Sequence, residues 1–243
     1  MIKKKILIEN IKTLFYALII ALIIRSLLIQ PFYIPSSSME PTLLIGDRIF
    51  VSKYSYGYSR HSLPFSPNFS SKRYFKKTPK RGDVIVFKTP QDNRTDYIKR
   101  LIGLPGDTIQ FINGELYLNE KKIKRTSKII DIDINLPGTA NIFDEILPDG
   151  KKYTVVYSEE YNLNKNSDKY LVPPNKYFFM GDNRDNSTDS RVLGRVGYVS
   201  EINLVGKAKL IFFSNDKNSG SFFEFWNWHK SIRFERFFSK IKW

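Results

Sequence analysis

The sequence predicts a mainly β protein carried on one N-terminal apolar helix, and three observations predict it. Beyond Pro35 the chain shows little helical periodicity and many short apolar runs opened by turn residues. Gly-Asp pairs at 46–47, 82–83, 106–107 and 181–182 border such runs. Near the start of the chain every residue from Leu14 to Ile24 is apolar or aromatic, and Leu27–Ile29 continues the run past Arg25 and Ser26.

Taken in order, the first element is a membrane anchor. A helix over Thr13–Ile29 would be about 25 Å long, at the short end of what crosses a bilayer. Arg25 sits near its far end, where the stem can snorkel toward headgroups. Lys3, Lys4, Lys5 and Lys12 precede the run and should hold the N-terminus in the cytoplasm. A cleavable signal peptide would need a small-x-small site within a few residues of Ile24, and Arg25–Pro35 offers none. Ser36-x-Ser38 has that pattern but lies too far downstream. The expected organisation is a short cytoplasmic segment (1–12), an uncleaved transmembrane anchor (13–30) and one extracytoplasmic domain (31–243).

Strands are expected at Asp83–Lys88, Tyr97–Ile102, Tyr153–Tyr157, Tyr177–Met180 and Lys207–Phe213. Thr108–Ile112 and Glu115–Leu118, joined by Asn113-Gly114, read as a hairpin, because Asn-Gly supports the positive φ angles of a type I′ turn. Two stretches read as excursions. Residues 57–78 mix Ser, Pro, Tyr and Lys without periodicity, and residues from about 120 to 173 carry scattered charge and Pro, as a second lobe would. In the tail, Phe234, Phe237, Phe238 and Ile241 recur at helical spacing beside Arg233, Arg236, Lys240 and Lys242. A membrane-surface segment and an element packed on the domain fit that tail equally.

Composition narrows the chemistry. The 243 residues, 42% hydrophobic, suffice for an anchor and one sizeable domain. The absence of cysteine excludes disulfides, thiol catalysis and cysteine-bound metal. Only His61 and His229 are available as imidazoles, so neither a histidine metal site nor any other metal or cofactor is expected. The net charge of +15 suits an anionic membrane surface as well as nucleic acid and does not decide between them.

Three patches carry chemical potential. Ser38 lies between Pro35 and Pro41, which restrict the loop to extended conformations just beyond the anchor. A serine hydroxyl needs a base to become a nucleophile, and neither histidine is placed persuasively to serve. Lys99 is the candidate: on a strand it shares a face with Tyr97 and Leu101 and points away from Arg100. Bringing its pKa from about 10.4 to about 8 requires destabilising the ammonium by roughly 3 kcal/mol, which burial supplies. The third patch, Gly181–Arg191, is dense in Asp, Asn, Ser and Arg. Read as a calcium loop starting at Asp182 it puts Arg184 at a ligand position and lacks the required glycine, so a network of Asp-Arg pairs fits better.

Together these patches resemble the bacterial type I signal peptidases. The serine box of that family looks like Pro35-Ser-Ser-Ser-Met-Glu-Pro-Thr-Leu-Leu-Ile-Gly-Asp47, and its next shared segment like Arg81-Gly-Asp-Val-Ile-Val-Phe-Lys88. The lysine box looks like Tyr97-Ile-Lys-Arg-Leu-Ile-Gly-Leu-Pro-Gly-Asp107, and the last box like Gly181–Arg191. Order and spacing agree, over about a quarter of the chain. The resemblance implies an antiparallel β catalytic domain with an inserted β subdomain, here about 114–173. It implies a serine endopeptidase that cleaves signal peptides from preproteins after small residues, at the bacterial cytoplasmic membrane with its catalytic domain on the outer side.

Carried over position by position, the resemblance implies Ser38 as nucleophile and Lys99 as general base. Ser187 would hydrogen-bond and orient the lysine amine, and Ser36 would share the oxyanion hole with the Ser38 N–H. Arg100 would pair with Asp182, and Arg191 with Asp189. Small substrate side chains would enter pockets lined by Phe32, Ile34, Pro35, Leu43, Val86, Tyr97 and Ile98. The partners implied are signal peptides and the lipid bilayer, with no nucleic acid and no metal. Ser37 departs from the glycine that many members carry.

The competing readings are weaker. A non-catalytic tethered domain of the same fold predicts a lost serine or lysine, and both are present. A penicillin-interacting serine enzyme finds its Ser-x-x-Lys only at Ser214–Lys217 and Ser239–Lys242, in the tail and without companion motifs. A self-cleaving repressor-type peptidase would lack the anchor.

Overall fold

The computed structural model describes residues 2–68, 70–128, 140–158, 166–216 and 231–242. His229, Lys217 and the tail residues 222–230 lie outside them. The anchor is longer than the apolar run alone predicts. Helix α1 spans Ile2–Ile23, and a π-helical turn over Ile24–Leu28 continues it. Ile6, Leu7, Ile8 and Ile11 extend the apolar surface toward the N-terminus, and the flanking Lys4, Lys5, Lys12 and the intervening Glu9 are good helix formers. Leu14, Ile20 and Leu28 are among its many exposed apolar side chains, the pattern of a helix solvated by lipid. The stretch Lys4–Leu28, 25 residues, is long and apolar enough to cross a membrane. Ile29, expected in the helix, instead opens the first strand.

Fifteen strands follow among the described residues. They are β1 (Ile29–Tyr33), β2 (Asp47–Ser52), β3 (Val84–Lys88), β4 (Asp96–Gly103), β5 (Thr108–Ile112), β6 (Glu115–Leu118), β7 (Lys121–Lys122), β8 (Lys124–Ser127), β9 (Ala140–Ile146), β10 (Lys152–Ser158), β11 (Tyr170–Leu171), β12 (Lys176–Met180), β13 (Val199–Ser200), β14 (Leu204–Ser214) and β15 (Ser239–Lys240). The main sheet runs β1-β2-β14-β3-β4-β12-β13, with β15 added on β14. A three-stranded sheet (β10-β9-β8) and a four-stranded one (β11-β5-β6-β7) complete the architecture, and the strand pairs are antiparallel. The protein is therefore mainly β and antiparallel. The Asn113-Gly114 hairpin forms as expected, with φ of 50° and 76° at its two turn residues.

The main sheet is covered on both faces, which explains why β3 reads as an uninterrupted apolar run. Val84 and Val86 join Ile34, Leu43, Ile49 and Val51 on one side, while Ile85 and Phe87 join Leu101, Phe179 and Val199 on the other. A third cluster, with Ile102, Phe111, Leu118, Val155 and Phe178, binds the smaller sheets to β4 and β12.

Three of the Gly-Asp pairs are one device used repeatedly. Gly46, Gly82 and Gly106 take positive φ, and the following aspartate accepts a backbone N–H three residues upstream, from Leu44, Lys80 and Leu104 respectively. Gly181 belongs elsewhere: a Cβ there would lie 2.5 Å from the Ser38 carbonyl oxygen and would overlap the Ser187 hydroxyl. Glycine is needed at 181 so that two loops can touch.

The 57–78 excursion and the described tail are fastened to the domain. Arg73 donates to the Gly57 and Glu201 carbonyls (both 2.8 Å) and also to that of Leu204, pinning 57–78 onto the sheet. The described tail, 231–242, packs on the domain, and its helical part is one 3-10 turn over Phe234–Arg236. Phe238 adopts φ 55°, β15 pairs with β14, and Arg236 donates to both Asp47 oxygens. Phe234 and Phe238 stay exposed.

Candidate active site

The serine loop is held from both ends. Ile34 is buried, its N–H donating to Asp47 O (2.9 Å), and Met39 and Leu43 are sunk in the core beyond it. Between these anchors Ser38 is 8% exposed. Its carbonyl accepts from Asn183 N (3.2 Å), and the Ser37 hydroxyl accepts from Asn186 Nδ2 (2.8 Å). The serine where the resemblance has glycine thus ties its loop to the 181–191 loop.

Lys99 lies on β4 opposite Ile85 of β3, 4% exposed. Its Nζ is hydrogen-bonded to Ser38 Oγ at 2.5 Å. Among the described residues no carboxylate comes within ion-pair distance of that amine. Burial pushes Lys99 down to about 8, opposed by the more distant charges of Asp189 and Asp182 and assisted by Arg191. The Tyr97 ring flanks the amine, its centroid 5.4 Å from Nζ. Ser36 Oγ lies 3.4 Å from Ser38 Oγ on the open side.

The surrounding charges are paired. Arg100 grips Asp182 with two 2.7 Å bonds, both side chains 1% exposed, and Thr42 Oγ1 adds a bond to Asp182 Oδ2. Arg191 grips Asp189 likewise at 2.8 Å through Nε and Nη2. Asp189, fully buried, also accepts from Gly181 N and from the Ser187 hydroxyl (2.9 and 2.8 Å). These donors hold its carboxyl below its usual range against the opposing effect of burial, which is the largest single influence. The Ser187 proton goes to Asp189, and among the described residues no hydrogen bond joins Ser187 to Lys99, which the resemblance led us to expect.

A cleft of about 920 Å³ opens above the serine–lysine pair. Phe32, Ile34, Pro35, Val86, Tyr97 and Ile98 line it, together with Ser36, Ser38, Lys99 and Ser187. Leu43 does not: it is 0% exposed and packs in the core beneath the loop, so its expected place in the pocket is corrected. The sequence also gave no sign that Asp185, Asn186 and Thr188 of the 181–191 loop, with Val192 just beyond it, line the cleft. It missed a buried partner as well. Arg184 reaches across to Glu145 of β9 with bonds of 2.7 and 2.5 Å, and the Tyr153 and Tyr157 hydroxyls surround it. Arg184 N also donates to Val156 O. The catalytic-side loop is thereby clamped to β9 and β10.

The fold and the cleft define a membrane-anchored peptidase. The family described as signal peptidase, peptidase S26, matches residues 7–213. Signal peptidase I of Rickettsia massiliae (strain Mtu5) is 42% identical over 93% of this chain and 90% of its own. That of Rickettsia akari (strain Hartford) is 44% identical over 84% and 78%. A crystal structure of a signal peptidase I from Enterococcus faecalis V583 is 29% identical, with a TM-score of 0.31, covering 54% of this chain and 97% of that one.

The chain belongs to the signal peptidase family, peptidase S26. Its activity is the cleavage of signal peptides from preproteins, and α1 is its membrane span.

Proposed function

We propose that cleavage proceeds through Ser38 and Lys99 alone, without histidine or metal. The observation that carries this reading is the 2.5 Å contact between a buried lysine amine and a serine hydroxyl on the floor of the cleft. Neutral Lys99 takes the Ser38 proton as Oγ attacks the scissile carbonyl, then gives it to the departing amine as the peptide bond breaks. Water, deprotonated by the same amine, releases the acyl group and restores Ser38. The Ser36 hydroxyl and the Ser38 N–H receive the oxyanion. Ser187, its own proton held by Asp189, acts toward Lys99 as an acceptor only. The two buried Asp-Arg pairs are scaffold.

The substrate enters as a strand. β12 pairs with β4 only from Arg100 onward, so the backbone edge at Asp96–Lys99 has no strand beside it among the described residues. Main-chain pairing along that edge would supply affinity, and the shallow pockets of Phe32, Ile34, Pro35, Val86, Tyr97 and Ile98 would select small side chains. The N-terminal lysines favour residues 1–12 in the cytoplasm and the domain from 31 onward outside the bacterial inner membrane, and β6 to β11 fall within the inserted subdomain of about 114–173.

The test is preprotein cleavage by detergent-solubilised enzyme, wild type beside Ser38→Ala and Lys99→Ala. Both variants should be inactive while keeping the wild-type melting temperature or exceeding it. Full activity in either overturns the mechanism.

A further inference from the structure

A second cavity, of about 440 Å³, lies beside the cleft and shares Phe32 and Asp96 with it, yet nothing in the peptidase reaction uses it. Its wall carries Arg25 from the outer end of the anchor, Lys88 from β3, Arg94 from the β3–β4 turn, and His61 with Phe65 from the 57–78 excursion. Lys53 stands behind it, 2% exposed, with its amine held by the His61 and Ser62 carbonyls (3.3 Å each). Against these cations the wall supplies one carboxylate, Asp96, and Lys88 takes it at 2.8 Å. Arg25 and Arg94 are exposed, and their guanidinium groups have no hydrogen-bond or ion-pair partner among the described residues.

His61 shows what the cavity is built to receive. The ring is 3% exposed and its Nδ1 has no hydrogen-bond partner. Its Nε2 accepts from Arg60 Nε (3.3 Å), which leaves the ring proton on Nδ1 as an unused buried donor. Burial first, and then the charges of Arg60, Lys88, Arg73 and Lys53, push His61 down to about 4 and keep it neutral. A buried N–H donor beside two unpaired guanidinium groups is matched by an oxyanion with several acceptor oxygens. The rim is apolar: Phe65 is fully exposed with φ 61°, and Leu63 beside it is partly exposed. A bulky ring in left-handed backbone and open solvent has no packing reason to be there.

The geometry points to a binding site for the headgroup phosphate of an anionic phospholipid in the outer leaflet. Arg25 and Arg94 hold the phosphate, the neutral His61 ring backs the cavity, and Phe65 lies against the acyl chains. Charge alone would suit a free phosphate; the exposed Phe65 and the origin of Arg25 in the anchor favour a lipid. The inference goes beyond the peptidase mechanism and rests only on α1 spanning the membrane with the domain outside.

The test uses the full chain in maltoside micelles and phosphatidylglycerol with a fluorescent acyl chain. Unlabelled phosphatidylglycerol should displace the probe at least tenfold more effectively than phosphatidylcholine. The double variant Arg25→Gln/Arg94→Gln should bind about thirtyfold more weakly, from roughly 1 kcal/mol per basic residue near an anionic surface. Phe65→Ser should also weaken binding. Equal affinity for the two lipids, or unchanged binding by the double variant, overturns the proposal. Displacement by inorganic phosphate as effective as by the lipid, with Phe65→Ser neutral, makes the cavity a soluble-anion site and overturns the lipid assignment. Loss of preprotein cleavage by the double variant in zwitterionic micelles, at unchanged melting temperature, gives the cavity to the substrate and overturns it too. Wild-type cleavage reports on the peptidase mechanism separately.

Discussion

Two corners of the molecule bury a lysine, and they put it to different uses. Lys99 under the cleft and Lys53 beside the second cavity are both almost wholly buried, and burial pushes each down to about 8. Lys99 faces a hydroxyl; Lys53 faces two carbonyl oxygens of the 57–78 excursion. A carbonyl has no proton to give, so Lys53 can only donate and acts as a pin. A hydroxyl has one, and Lys99 stands in an open cleft where the proposed reaction would use it. A depressed pKa therefore marks both residues, and only the partner distinguishes a base from a fastening.

Replacing each lysine in turn breaks or sharpens that contrast most directly. Lys99→Met should lower kcat by about 10⁴-fold, whereas Lys53→Met should leave kcat/KM within about threefold, because no step uses its amine. Comparable losses in both would erase the distinction. Next in size, Ser36→Ala should reduce kcat by about 10²- to 10³-fold with KM little changed, as for other oxyanion donors. An unchanged kcat would leave the Ser38 N–H without the proposed companion. Acidity offers a third measure. Lys99 must be neutral, so kcat/KM should fall about tenfold for each pH unit below about 8 and level off above it. A profile flat to pH 5 is incompatible with a lysine base.

The smallest effect is on stability. An ammonium that the unfolded chain keeps to about 10.5 and the fold releases at about 8 opposes folding fully below 8, and progressively less from 8 to 10.5. Lys99→Met should therefore stabilise the protein by up to ~3 kcal/mol at pH 7, with the gain vanishing above about pH 10.5. Lys53→Met should gain less, since the His61 and Ser62 carbonyls lose their donor. Denaturant melts at pH 7 and 10 measure both.

What the sequence revealed was local. The β5–β6 hairpin, with its Asn-Gly turn, and the strand β4, with Lys99 on the face of Tyr97 and Leu101, depend on short-range patterning. The box resemblance brought Ser38, Lys99, Arg100 and Asp182 together, but it could not show which group would claim the Ser187 proton. That depends on where Asp189 settles among its donors. Arg184 and Glu145 were invisible as partners, because their pairing follows from how β9 and β10 pack against the 181–191 loop. The spacing of Phe234, Phe237, Phe238 and Ile241 left a membrane-surface segment and a packed element equally open; the described part packs because β14 has an edge to offer and Arg236 a carboxylate to reach. Leu43 was placed in the pocket because its box resembled pocket-forming sequence. Its side chain is instead what keeps the loop seated on the core.

The join between anchor and sheet has a consequence of its own. The π-turn ends at Leu28 and β1 begins at Ile29, while the Tyr58 hydroxyl donates to Leu27 O at 2.9 Å. No slack separates the two parts, so with α1 in the membrane the proposed topology would carry the cleft at one fixed height from the bilayer. A substrate threaded through the same membrane searches in two dimensions and meets a blade that neither rises nor sinks. The expected consequence is a depth limit: a segment of ideal composition emerging too near the surface, or too far from it, should be cut more slowly, which preproteins with shortened or lengthened spacers would measure.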